Sequence, residues 1–291
     1  MDILQSPERL DVGEQLRARY ALINAAQVSP SQWTGLMHQP VVPERFRYQP
    51  ELFPVLVEIQ ALGRDDREVV WTRDRVSEQE YDVPFVLALF DAEVEGSAVV
   101  AHLVRRMAVR RPDGAEDALR FYDPFVFRHL RWLLGVEQMD SLLGPITAWH
   151  WREPDGTWQR HARGSDHASL RPLRLTSPQW STLLRVADIN QSLRELLRVD
   201  PTRANEPGVA QELDSLLAEA SDVSGLVDHQ DRRLYALQAI RYHRHIHQHP
   251  ALRDRLREVR SSAMTFVTAC ADFDDSWMCR LAKEVEQIQA S

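Results

Sequence analysis

Lysine is almost missing from this chain: Lys283 is the only one among 35 lysine and arginine residues. Its positive charge therefore sits on planar guanidinium groups, which fork onto carboxylates and carbonyls. Cysteine is scarce as well. Cys270 and Cys279 are the only two, too few for a disulfide scaffold and matching no zinc or redox spacing. Only 11 residues are glycine, and no glycine-rich phosphate-binding motif occurs. Positive charge is outweighed, with 43 acidic residues and a formal net charge of -8, which argues against a nucleic-acid binder. No apolar run approaches the roughly 20 residues that span a bilayer. The opening "MDILQSPERLDVGEQLRARY" does not join a basic end to an apolar run as a signal peptide does. A cytoplasmic protein that engages neither nucleic acid nor membrane is expected.

Hydrophobic residues at 44% and charged residues at 27% are the balance of a globular protein with a real core. The length of 291 residues allows one large domain or two lobes. In the first half, "RYALINAA" (19–26), "FPVLVEIQ" (53–60) and "PFVLALFD" (84–91) read as short buried strands. "GSAVVAHLVRRMAV" (96–109) reads as a helix with Val99, Leu103 and Met107 along one side, and "PDG" (112–114) as a turn. "PITAWHW" and "TWQRH" around "REPDG" (152–156) read as a hairpin.

The second half changes character. Ser177-Pro178 reads as a capping hydroxyl followed by proline at the first helical position, and Leu183, Leu184, Ala187, Leu193, Leu196 and Leu197 follow at helical spacing. Further helices fit 207–220 and 225–248. Pro250 opens another, and "DDSWMCRLAKEVEQIQ" is amphipathic. The fold class expected is an α/β (α+β) N-terminal lobe with a small mixed sheet, residues 1–165, followed by an all-α lobe, residues 166–291.

Candidate chemistry is sparse. His243, His245, His247 and His249 alternate in "YHRHIHQHP". On a helix, residues four apart could clamp a metal. The two pairs would point about 200° apart, and the run lacks the acidic residue of the zinc-protease motif. No metal and no cofactor are expected. "HARGSDH" (161–167) sets Ser165, Asp166 and His167 side by side, but catalytic triads converge in space and no nucleophile elbow is present. It reads as a loop. Asp65-Asp66 and Asp274-Asp275 are the kind of pair found on solvated loops and at helix starts. No catalytic residue is assigned, and a non-enzyme is expected.

The stretch "ALRFYDPFVFRHLRWLLG" (118–135) carries more. Asp123 suits a helix N-cap and Pro124 the first helical position. "LRFY" before it is a strand candidate, and Arg120 and Tyr122 are expected to be largely buried. The helix should end near Gly135 in a left-handed conformation.

The same stretch resembles the adaptor, or effector-chaperone, family of bacterial type VI secretion. Arg120, Phe121, Tyr122, Asp123 and Pro124 match the first part of its motif; Leu143, Gly144, Pro145 and Trp149 match the second. "YALINAAQ" is similar to the family's opening strand, with Asn24 where aspartate is usual, and "AHLVRRMAVRRPDG" to the helix and turn that precede the motif. The resemblance covers roughly residues 19–151. It implies a non-enzymatic protein that binds a cognate toxic effector in the cytosol, stabilises it and promotes its loading onto the VgrG spike, with specificity in the helical lobe. It leaves open an immunity protein that neutralises a toxin, or an uncharacterised α/β hydrolase or metalloenzyme using the histidines. Arginine and tryptophan are the residues most enriched at binding hot spots. Trp149, Trp151 and Trp158 are therefore candidate effector contacts in a groove between the lobes, against the competing reading that they fill the first lobe's core.

Overall fold

The computed structural model describes residues 8–9, 18–81, 83–165 and 171–289. The chain divides into two compact units, one ending at Trp180 and the other beginning at Ser181. The first is α/β and the second all-helical.

The first unit is built on strands β1 (Glu8–Arg9), β2 (Tyr20–Ile23), β3 (His38–Pro40), β4 (Val55–Glu58) and β5 (Val86–Ala92). Helix α1 (Arg64–Tyr81) precedes β5 and α2 (Gly96–Met107) follows it. The small pair β6 (Ala108–Arg110) and β7 (Glu116–Ala118) leads to α3 (Pro124–Leu133) and α4 (Val136–Leu143). The hairpin β8 (Ile146–Arg152) and β9 (Trp158–Ala162) completes the sheet. Its strand order is β1-β9-β8-β5-β2-β4-β3, and every pairing is antiparallel. The runs expected as strands at 19–26 and 53–60 contain β2 and β4, the run at 84–91 overlaps β5, and the expected hairpin is β8 and β9.

Helices cover both faces of this sheet, so β2 and residues 86–90 of β5 are apolar without alternation. One face carries Ala21, Ile23, Val55, Val57, Leu89 and Trp158, packed with Val70 of α1. The other carries the aromatic row Tyr20, Phe90 and Trp149, in register across β2, β5 and β8. Sequence periodicity does not reveal α1, because Val70, Asp74 and Ser77 are its only buried side chains. Besides Val70, polar contacts dock α1: Asp74 Oδ1 accepts from Val86 N at 2.9 Å, and Asp74 Oδ2 lies 3.3 Å from Arg152.

The division between units falls in the first turn of α5 (Ser177–Val199). Thr176, not Ser177, caps this helix. Thr176 Oγ1 accepts from Gln179 N at 3.4 Å, and Gln179 Oε1 accepts from Thr176 N at 2.9 Å, the reciprocal arrangement of a capping box. The second unit continues through α6 (Pro201–Ala204), α7 (Val209–Asp222), α8 (His229–Arg241), α9 (Pro250–Ser261), α10 (Phe266–Ala269) and α11 (Asp275–Gln289). One core joins Ile189, Leu193 and Leu196 of α5 to Leu213, Leu216 and Leu217 of α7 and Ala236 of α8. A second gathers Tyr235, Ile246, Leu252, Phe266, Met278 and Leu281.

The helix expected over 225–248 is shorter: α8 ends at Arg241, and a 3-10 turn covers Ile246–Gln248. A continuous helix would set residues 235 and 247 about 18 Å apart. The chain instead turns back, so that the Tyr235 and His247 rings stack with centroids 3.5 Å apart. Among the described residues, no helix is long and apolar enough to cross a membrane.

Candidate functional site

The Arg120–Pro124 stretch is a turn between β7 and α3. β7 stops at Ala118, so "LRFY" is not a strand. Phe121 and Tyr122 are both buried in a turn that closes where Asp123 N donates to Arg120 O at 3.0 Å. Asp123 then caps α3, its Oδ1 accepting from Phe125 N at 2.9 Å, with Pro124 at the first helical position.

Tyr122 is buried as expected and Arg120 is not, its side chain remaining 54% exposed. The guanidinium stays in water, where its charge is cheapest to hold. It lies 5.9 Å from the Tyr122 ring centre and 3.6 Å from Asp123 Oδ2. Burial holds the Tyr122 hydroxyl above its ordinary pKa, and the nearby Arg120 charge opposes that shift.

The turn aims α3 at the sheet. Phe127 stacks on Trp149 at 5.2 Å and 20°, and Phe121 tilts against the same indole at 5.8 Å. Phe90 lies on Trp149 at 5.2 Å with the rings nearly parallel, and Tyr20 follows at 5.6 Å. Trp151 sits 5.2 Å from Phe127, under Arg131 at 5.1 Å, and its Nε1 donates to Glu153 Oε1 at 2.8 Å.

Trp149, Trp151 and Trp158 are therefore not exposed contacts. Their relative exposures are 0%, 1% and 3%, because β8 and β9 are covered on both faces. The first two belong to the aromatic stack and Trp158 to the opposite core with Val57 and Leu89. They support the fold, and a partner cannot reach them without unfolding it.

α3 gives way at once to α4. Gly135 has φ -75° and caps α4, so it is not the left-handed terminus expected there. The left-handed glycine is Gly144, with φ +54°, which ends α4 before Pro145 and β8. A Cβ added at Gly144 would fall 2.1 Å from the His102 ring. His102 is buried, its Nε2 within 2.8 Å of Leu142 O, and burial lowers its pKa to about 4. Arg163 Nη1 donates to Gly144 O at 2.5 Å. Both halves of the motif are thus turns that only particular residues can make: a capped Asp-Pro entry and a side-chain-free exit.

The four histidines of 243–249 do not share a helix. His243 and His245 lie in the turn after α8, and His247 is buried with Nε2 3.0 Å from Gln238 Oε1. His249 caps α9 through Ala251 N and meets Glu284 at 2.9 Å. Among the described residues, no group of three or more histidine, cysteine, aspartate or glutamate side chains could hold a metal ion. Ser165 ends a described segment; Asp166 and His167 lie outside the described residues. Cys270 is buried and Cys279 exposed, both free.

The second unit holds features that the sequence reading passed over. A cavity of about 570 Å³ is lined in part by Arg244, Arg253, Arg257 and Arg260. Three of these stand at positions i, i+4 and i+7 in "RDRLREVR", a periodic signal visible in the sequence. A second, more apolar cavity of about 410 Å³ is lined by Val199, Leu234, Leu237 and Phe273, among others.

No curated protein and no solved structure matches the chain. Residues 19–141 match a family model described as "Domain of unknown function (DUF4123)", a family associated with type VI secretion effector adaptors. The matched stretch runs from β2 into α4. It is similar to that family over the sheet's central strands and the Arg120–Pro124 turn.

Proposed function

We propose that this protein is a type VI secretion adaptor: a non-enzymatic chaperone that binds a cognate toxic effector in the cytosol, stabilises it and promotes its loading onto the VgrG spike. The observation that carries this reading is the family match over residues 19–141, together with an intact Arg120–Pro124 turn that seats α3 on the sheet. In this reading the α/β unit is the common scaffold. The helical unit, outside the matched stretch, recognises the particular effector.

The experiment is capture from the native bacterium with a tag on this chain, followed by mass spectrometry of what is retained. A single toxin-bearing effector at near-equal stoichiometry is expected, with VgrG present in the same complex. Deleting the gene should lower the effector's steady-state level and abolish its delivery. Retention of no effector, or undiminished delivery in the deletion strain, would sink the proposal. Hydrolytic activity of the purified chain would argue for an enzyme instead.

A further inference from the structure

The helical unit carries a concentration of positive charge that its own fold does not use up. The chain as a whole is acidic, with a formal net charge of -8. Yet four arginines line the 570 Å³ cavity, and Glu219 is the only carboxylate among its lining residues. Glu219 is already engaged: it accepts from Tyr235 Oη at 2.7 Å and from Arg244 Nη2 at 2.7 Å.

The four guanidinium groups differ in how far they are occupied. Arg260 donates from Nε to Ser224 O at 2.9 Å and from Nη2 to Val223 O at 2.6 Å, closing the C-terminal end of α7. Arg244 holds Glu219 through Nη2, while its Nη1 has no hydrogen-bond partner among the described residues. Arg257 meets Asp254 at 2.8 Å, but both side chains are mostly exposed, at 65% and 69%. Such a pair contributes little and is readily exchanged for another carboxylate. Arg253 is exposed and has no acidic partner among the described residues. Arg253 and Arg257, one helical turn apart on α9, therefore present two forks ready to take carboxylates.

The same cavity has an apolar side. Val223 and Ile288, both lining it, are 69% and 65% exposed, and Leu256 lies in its wall. A small inorganic anion would use the arginines and leave these side chains in water. An extended segment carrying both carboxylates and aliphatic side chains would satisfy both.

We propose that this cavity is a docking site for an acidic, leucine-rich type of peptide segment on a partner protein, with Arg253 and Arg257 binding its carboxylates and Val223 and Ile288 its apolar side chains. Identifying that partner with the secreted effector rests on the function proposed above; the chemistry of the site does not.

The test uses the full chain and a fluorescein-labelled peptide alternating glutamate and leucine, followed by anisotropy. The native chain should bind it, and the double variant R253E/R257E, checked for folding by circular dichroism and melting, should bind at least about tenfold more weakly. Raising the salt should weaken binding by the native chain. A peptide with lysine in place of glutamate should not bind. No binding by the native chain, equal affinity in the double variant, or competition by inorganic phosphate as effective as by the peptide itself would each overturn the proposal. In the bacterial capture experiment, R253E/R257E should lose the effector. If it retains the effector undiminished, the effector as this site's partner is overturned while the adaptor reading stands. If the native chain captures no effector, the adaptor reading fails and the peptide measurement still decides the site.

Discussion

His102 packs its imidazole against the Cα of Gly144, in the space that any other residue's Cβ would fill. Gly144→Ala would meet two penalties, a positive φ that L-residues avoid and a contact of 2.1 Å with the ring. The backbone part alone is about 1–3 kcal/mol, so a fall in stability of about 2 kcal/mol or more is expected by denaturant unfolding. Adding His102→Ala should recover the steric part but not the backbone part. Strict additivity of the two changes would show that the ring is not the obstacle.

Asp123 and Arg120 face each other at 3.6 Å, yet their removal should have unequal effects. Asp123→Ala strips the cap from α3 and should cost about 0.5–2 kcal/mol. Arg120→Ala removes an exposed ion pair, in the range of about 0–1 kcal/mol. Asp123→Asn should retain much of the cap. Thermal melts of the three variants give the order, and Arg120→Ala as the most damaging would contradict the turn described for this motif.

Trp149 lies between Phe90 and Phe127 with no exposed surface. Trp149→Ala should therefore behave as a core truncation and cost about 3–5 kcal/mol, while Trp149→Phe should cost distinctly less. Any loss of partner binding should track the unfolded fraction. A Trp149→Ala protein that melts like the parent but no longer binds its partner would restore a direct contact role.

Three buried histidines make stability depend on pH. Burial lowers His102 to about 4 and His247 to about 3; His161, also beside Arg131 and Arg160, falls to about 4. In the unfolded chain each titrates near 6.5. Above about pH 6.5 both states are neutral and nothing changes. As the pH falls from about 6.5 toward 4, the unfolded chain takes up protons that the folded one refuses, and stability drops by about 1.4 kcal/mol per pH unit for each histidine. His102→Gln, which can still donate to Leu142 O, should show a shallower decline over that window. Parallel curves for His102→Gln and the parent would mean that His102 is not held neutral.

What the sequence determined by itself was mainly local. The apolar runs at 19–26, 53–60 and 84–91 are strands because short β-rich segments between turn signals have few other ways to bury themselves. Asp123-Pro124 caps a helix because the cap needs only a side-chain acceptor, and the N–H that proline lacks would go unpaired at the first helical position anyway. The amphipathic α9 and α11 show their inward faces in their spacing. Long-range contact decided the rest. α1 has too few apolar residues to announce itself and is docked by Val70 in the core and by the buried Asp74 on Val86 and Arg152. Composition marks Trp149, Trp151 and Trp158 equally well as surface anchors or core filling; coverage of the sheet on both faces made them core. The histidine run reads as a helix until the stack of His247 on Tyr235 requires the chain to turn back. In each case a residue's neighbours came from a distant part of the chain, and local pattern carries no record of them.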